Sequence, residues 1–149
     1  MKILEMALSK KEILNDLRAH SKTFIMHMIM LTIFNSKLTV NHWKKEIYSF
    51  YSSVPKCKNT NKYPTVEEIY SSIFGHIEDD FEYMFDSYID VINVKEDVFI
   101  DPDIFSQEKI LKIKNFIRNY TLWISKKLSE NGKVFSVDVF TKLNELLNS

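Results

Sequence analysis

The sequence predicts an all-α fold: a single-domain bundle of five to seven helices over residues 1–149. Three observations carry that expectation. Gly occurs twice and Pro three times in 149 residues, too few to supply the turns of a many-stranded β fold. Apolar residues recur over long stretches at the three-and-four spacing of a helix face. Two capping boxes, Ser9-Lys-Lys-Glu12 and Thr65-Val-Glu-Glu68, each stand directly before such a stretch.

The first capping box opens a segment in which Ile13, Leu14, Leu17, Phe24, Ile25, Met28 and Leu31 share helical spacing. It reads as one helix, or two with a break near Ser21, ending about Asn35. Thr39 or Asn41 is the expected cap of the next helix, which carries Trp43, Ile47, Phe50 and Tyr51. Pro55 disfavours helix at the residue before it, so this element should end by Val54. Residues 55–64, PKCKNTNKYP, read as a basic loop. The second capping box opens a stripe from Val66 to Ile92, with Gly75 as its expected kink. Residues 93–104 lack helical period and read as a loop. Asp101-Pro102 and Ser106 are alternative starts for a helix through Ile110, Ile117, Tyr120, Ile124 and Leu128, which Asn131-Gly132 should stop. Ser136 or Val137 opens a last short helix bearing Val139, Phe140, Leu143, Leu146 and Leu147.

Composition narrows the function classes. Cys57 is the single cysteine, so no intrachain disulfide can form and a reducing compartment fits. The start, MKILEMALSKKE, lacks the continuous apolar run and small-residue cleavage site of a secretory signal. Phe24 to Phe34 is the most apolar run, and it falls short of the roughly 20 residues a membrane helix needs. A cytoplasmic protein without membrane contact is the expectation. Net charge is zero but unevenly placed. Residues 1–65 carry eleven basic and four acidic side chains, a net +7; residues 66–104 carry one Lys and twelve acids, a net −11; residues 105–149 carry eight basic and four acidic, a net +4. Such asymmetry can mark a partner surface.

No set of residues announces catalysis, and the expectation is a protein that is not an enzyme and holds no cofactor. His20 and His27 share a helix face, but metal sites need three or four converging ligands, and no further His or Cys lies close. His42 and His76 stand apart. An Arg-x4-His pair, as in helical ribonucleases built on paired long helices, does not occur: Trp123 stands where Arg118 would need its histidine, and His20 is only two residues from Arg18. Cys57 between Lys56 and Lys58 has neighbours that lower a thiol pKa, but no adjacent base. Trp43 and Trp123 lie on apolar stripes and read as core anchors.

Two charged regions remain. Lys44, Lys45, Lys56, Lys58 and Lys62, with Tyr63 nearby, form a basic patch that admits a nucleic-acid-associated regulator using loop 56–63. Zero net charge and only two arginines, Arg18 and Arg118, weigh against nucleic acid as partner. Glu78, Asp79, Asp80, Glu82, Asp86 and Asp90 crowd what reads as one long helix, with Lys95 as the sole near basic residue. Carboxylates at i, i+4 repel, by about 0.2–0.5 kcal/mol per pair. A solvated face, a divalent-metal cage and a docking surface for a basic partner all account for them. The docking reading makes Glu78, Asp79, Glu82, Tyr83, Asp86 and Asp90 the partner-binding set. Tyr83, Tyr88, Phe81, Phe85 and Phe99 are its candidate aromatic anchors.

The segment Val40-Asn-His-Trp-Lys-Lys-Glu-Ile47, and downstream Lys58-Asn-Thr-Asn-Lys-Tyr-Pro-Thr-Val-Glu-Glu-Ile-Tyr70, resemble small all-helical immunity proteins encoded beside secreted toxins of bacterial contact-dependent growth inhibition. The resemblance covers residues 20–70. It implies no catalytic residues, and function by occlusion: the protein binds its cognate toxin domain and blocks the active site or substrate path. Many such toxins are nucleases, and a surface that meets phosphate is basic. The expected partner is therefore a basic nuclease. An enzyme of unrecognised chemistry and a homo-oligomeric scaffold are the remaining rivals.

Overall fold

Ser9 and Glu12 do what their spacing requires. The structure is a computed structural model that describes residues 9–34, 36–53, 63–130 and 133–149, with His76 by its backbone alone. Ser9 Oγ accepts from the Glu12 N–H at 3.2 Å, the Glu12 carboxylate accepts from the Ser9 N–H at 3.5 Å, and α1 (Lys10–Ile33) begins. Ser21 does not break it: the hydroxyl donates to the Arg18 carbonyl at 2.8 Å inside one continuous helix. α2 is Lys37–Ser53. Thr39 and Asn41 lie within α2 rather than capping it, because the Val40 N–H already donates to the Ser36 carbonyl at 2.8 Å.

The Val66–Ile92 stripe is two helices, not one kinked helix. α3 (Val66–Ile73) starts at the Thr65–Glu68 capping box, with reciprocal bonds of 3.2 and 3.1 Å. Lys10 donates to Glu68 at 3.3 Å from α1. The Thr65 N–H, with Lys10 beside it, holds the Glu68 carboxyl below its usual range against the opposing effect of burial. The break comes at Phe74, whose φ of −131° and ψ of −30° leave helical geometry, followed by a 3-10 turn at Gly75–Ile77. Gly75 is not needed for a positive φ; a Cβ there would stand 3.2 Å from Ser71 Oγ, so close approach is what it serves. α4 (Phe81–Glu96) takes four residues that read as loop, and ends at Asp97, the one described non-glycine residue with positive φ.

Asp101 and Ser106 turn out to be two starts rather than alternatives. Asp101 Oδ1 accepts from the Asp103 N–H at 3.0 Å and opens a 3-10 turn at Pro102–Ile104. Ser106 Oγ accepts from the Lys109 N–H at 3.2 Å and opens α5 (Gln107–Ser129). α6 is Ser136–Leu147, with the Asp138 carboxylate accepting from the Phe135 N–H at 2.9 Å. The expected stop at Asn131-Gly132 lies outside the described residues. Among the described residues there are six α-helices and no strand, an all-α fold as the spacing predicts.

α1 is the axis of the bundle. Of Phe24–Leu31, every residue except His27 is buried. A helix apolar all round must be wrapped by others, and α2, α3, α4 and α5 all contact α1. Phe24 stacks on Phe50 of α2 at 4.2 Å and meets Tyr120 of α5 at 5.9 Å. α6 closes the bundle over α2 and α5 with Val139 and Leu143 fully buried. α4 is held by an aromatic chain: Phe74 to Phe81 at 5.9 Å, Phe81 to Phe85 at 6.0 Å, and Phe85 to Phe105 at 5.2 Å. Its inner stripe, Phe81, Phe85, Tyr88, Ile89 and Ile92, is wholly buried, which fixes the opposite face outward.

Candidate functional site

α4 turns its acids to solvent. At about 100° per residue, Glu82, Asp86, Asp90, Tyr83, Val94 and Ser87 span an arc of about 140°, and all six are exposed. The acids do not all stand on one helix, as the spacing suggested: Glu78 lies in the bend, and Asp79 and Asp80 in the turn, that lead into α4. Asp79 and Asp80 are exposed beside the helix N-terminus, where the positive end of the helix dipole favours negative charge. Glu78 is drawn inward and pairs with Arg118 of α5 at 3.7 Å. Burial, and then this carboxylate, raise the Tyr70 phenol well above its ordinary value.

Asp79, Glu82, Asp86 and Asp90 form no ion pair among the described residues. Among the described residues, no lysine of the two chain ends pairs with them. The face thus keeps a net negative field, which low-dielectric protein behind it focuses outward.

Three apolar side chains stand in or beside this acidic surface. Tyr83 and Val94 are each 83% exposed and Phe99 is 87% exposed, against complete burial for Phe81 and Phe85. Of the five aromatic anchors expected from sequence, Phe81, Phe85 and Tyr88 are therefore core residues, and Tyr83 and Phe99 remain. Helical spacing explains Tyr83, which lies about 200° from Phe81 on the wheel. Phe99 owes its position to Asn93. The Asn93 side chain accepts from the Ile100 N–H at 2.7 Å and donates to the Ile100 carbonyl at 2.9 Å. That pair of hydrogen bonds seats Ile100 in the core and leaves Phe99 exposed in a fastened loop. Neither Asn93 nor Val94 stood out in the sequence; Val94 could have been found by the same wheel that places Tyr83.

One lysine of the basic patch departs from the reading. Lys44 is buried: its ammonium donates to Asn144 Oδ1 of α6 and lies 5.8 Å from the centre of the Phe140 ring. Burial lowers its pKa. Lys44 fastens α2 to α6 and is not a surface cation. Lys45 is exposed, while Lys56, Cys57, Lys58 and Lys62 lie outside the described residues. Trp43 is core, stacked 5.4 Å from His27 and edge-on to His42 at 4.6 Å; Trp123 is half-buried beside Tyr120 at 5.5 Å. His20 faces solvent and approaches Asp16 at 3.5 Å, so the two histidines of α1 do not converge. Among the described residues no three His, Cys, Asp or Glu side chains gather as metal ligands, and no helix is long and apolar enough to cross a membrane.

Two concavities mark the surface. A groove of about 740 Å³ runs along α5, between the ends of α1 and α6 and the turn before α5. A depression of about 410 Å³ between α5 and α6 is rimmed by charges of both signs, Lys127, Lys133, Lys142, Asp138 and Glu145. Lys142 and Glu145 satisfy one another at 3.4 Å. Comparison of the chain with protein-family models, curated proteins and solved structures finds no match.

Proposed function

We propose that this protein is an immunity protein, which binds a cognate toxin domain of basic surface, a nuclease, and occludes its active site or substrate path. The observation that carries the reading is the acidic face of α4, where Asp79, Glu82, Asp86 and Asp90 have no ion-pair partner among the described residues, with Tyr83 and Val94 projecting from the helix and Phe99 exposed in the loop that follows it. Charge and anchors divide the work. Carboxylates that mimic a phosphate track attract a nuclease before it meets its substrate. Aromatic groups ringed by polar ones supply the slow dissociation that inhibition demands. The cytoplasm of the toxin-producing cell, or of its siblings, is where such a protein acts.

The test is association with the product of the adjacent toxin gene. A variant with Asp79, Glu82, Asp86 and Asp90 all changed to Lys should bind far more slowly, toward the about 10⁵–10⁶ M⁻¹s⁻¹ of unsteered encounters, and lose its salt dependence. Glu78 is left intact because it serves Arg118. Tyr83→Ala and Phe99→Ala should leave the on-rate alone and speed dissociation, each by about 2 kcal/mol in affinity if it is an anchor. An unchanged on-rate for the quadruple variant at low salt refutes the α4 face as the docking surface.

A further inference from the structure

We propose that the groove along α5 binds a single-chain amphiphile with one carboxylate, of the medium-chain fatty-acid class. Its volume of about 740 Å³ falls inside the roughly 300–1,000 Å³ of small-molecule sites. The floor is apolar and comes from four parts of the chain: Ile33, Phe105, Ile113, Phe116, Leu146 and Leu147. Ile113 and Phe116 are buried, and the other four are half-buried.

The polar lining is graded along α5. Lys109 and Lys112 stand one turn apart on one face, which brings their ammonium groups to the same end. Both are exposed, and neither has a carboxylate partner among the described residues. Beyond them the wall continues as Asn115 and Asn119, which are neutral. Among the described residues no Asp or Glu side chain lines the groove, whose polar edge also includes Thr32 and Ser149. A cationic end that stays wet and an apolar floor leading away from it match a charged head and a hydrocarbon tail. From Lys109 to Asn119 α5 rises about 15 Å, the reach of an extended chain of about twelve carbons at bond lengths near 1.5 Å.

None of the α4 residues borders this groove, so the inference stands apart from the proposed immunity function. Either can fail without the other.

Calorimetry of the full chain with laurate, dodecanol and dodecyltrimethylammonium, each below its aggregation limit, tests the assignment. Laurate should bind saturably at one site, with dodecanol about tenfold weaker and the cation weaker still. The double variant Lys109→Glu/Lys112→Glu changes only exposed residues. It should lose laurate affinity by about tenfold or more, keep its affinity for dodecanol, and keep its helical circular dichroism. A second variant, Leu147→Asp, puts a carboxylate into the apolar floor and should weaken laurate and dodecanol alike. Absence of saturable laurate binding overturns the proposal, as does equal affinity for all three probes. So does concentration-dependent self-association abolished by the double variant, because the groove would then hold a second copy.

Discussion

Phe99 and Ile100 are neighbours with opposite fates, and the difference is made seven positions away by Asn93. A side chain bonding a backbone at that distance leaves no periodic trace, so the outward Phe99 was not legible from spacing. Tyr83 was, because its buried neighbours Phe81, Phe85 and Tyr88 recur on one stripe. His27 shows the same limit: it reads as one more position on an apolar helix, and only packing sets its chemistry. Burial beside Trp43 lowers its pKa below 6.5; Glu46 and Glu96 pull it up, while His42 and Lys95 push it further down. The folded ring therefore stays neutral where the unfolded one has begun to protonate. Above the unfolded value the two states bind equal numbers of protons. As pH falls below it the unfolded chain takes up a proton the folded one refuses, and stability drops until the folded pKa is reached. Urea midpoints measured at about pH 7.5 and about pH 5.5 should differ more for the native chain than for His27→Gln. Equal differences would exclude His27 as the source.

At the scale of elements, helix type and most starts follow from local chemistry. Ser9, Thr65 and Ser106 each accept from an N–H three residues on, as their positions before apolar runs require. The break between α3 and α4 did not follow. Phe74 carries it with a backbone turn, while Phe74, Phe81 and Phe85 on either side still face one core, so the apolar pattern runs on unbroken. The consequence for the candidate site is direct: Glu78 swings to Arg118 and leaves the acidic face. The end of α4 depends on its own latch. Asn93→Ala removes both bonds to Ile100 and leaves partly buried backbone groups without partners, which costs about 1–3 kcal/mol. Amide exchange at residues 98–101 should quicken while that of α1 scales only with global stability. Asn93→Asp keeps the acceptor for the Ile100 N–H and should fall between the two. Unaltered exchange in the alanine variant would show that the loop is held by Ile100 packing instead.

Over the whole molecule, charge and core are organised on different principles. The outside is divided, with acids on the α4 face and exposed lysines on α5, and no net charge to show for it. The inside is continuous: buried residues from all six helices form one contiguous cluster threaded on α1. A core of that kind ties the six helices together, so they should unfold as one cooperative unit. Ile29 tests this best, being fully buried in the last quarter of the axis. Ile29→Ala should cost about 2–5 kcal/mol, the loss of a methylene-rich side chain plus the cavity it leaves. The two tryptophans report from separate places, Trp43 on α2 against His27 and Trp123 on α5 against Tyr120. In a single unit, urea transitions followed by tryptophan fluorescence and by far-ultraviolet circular dichroism coincide, and Ile29→Ala shifts both to the same lower midpoint. Two separated transitions, with only one moved by the substitution, would divide the bundle into units of different stability.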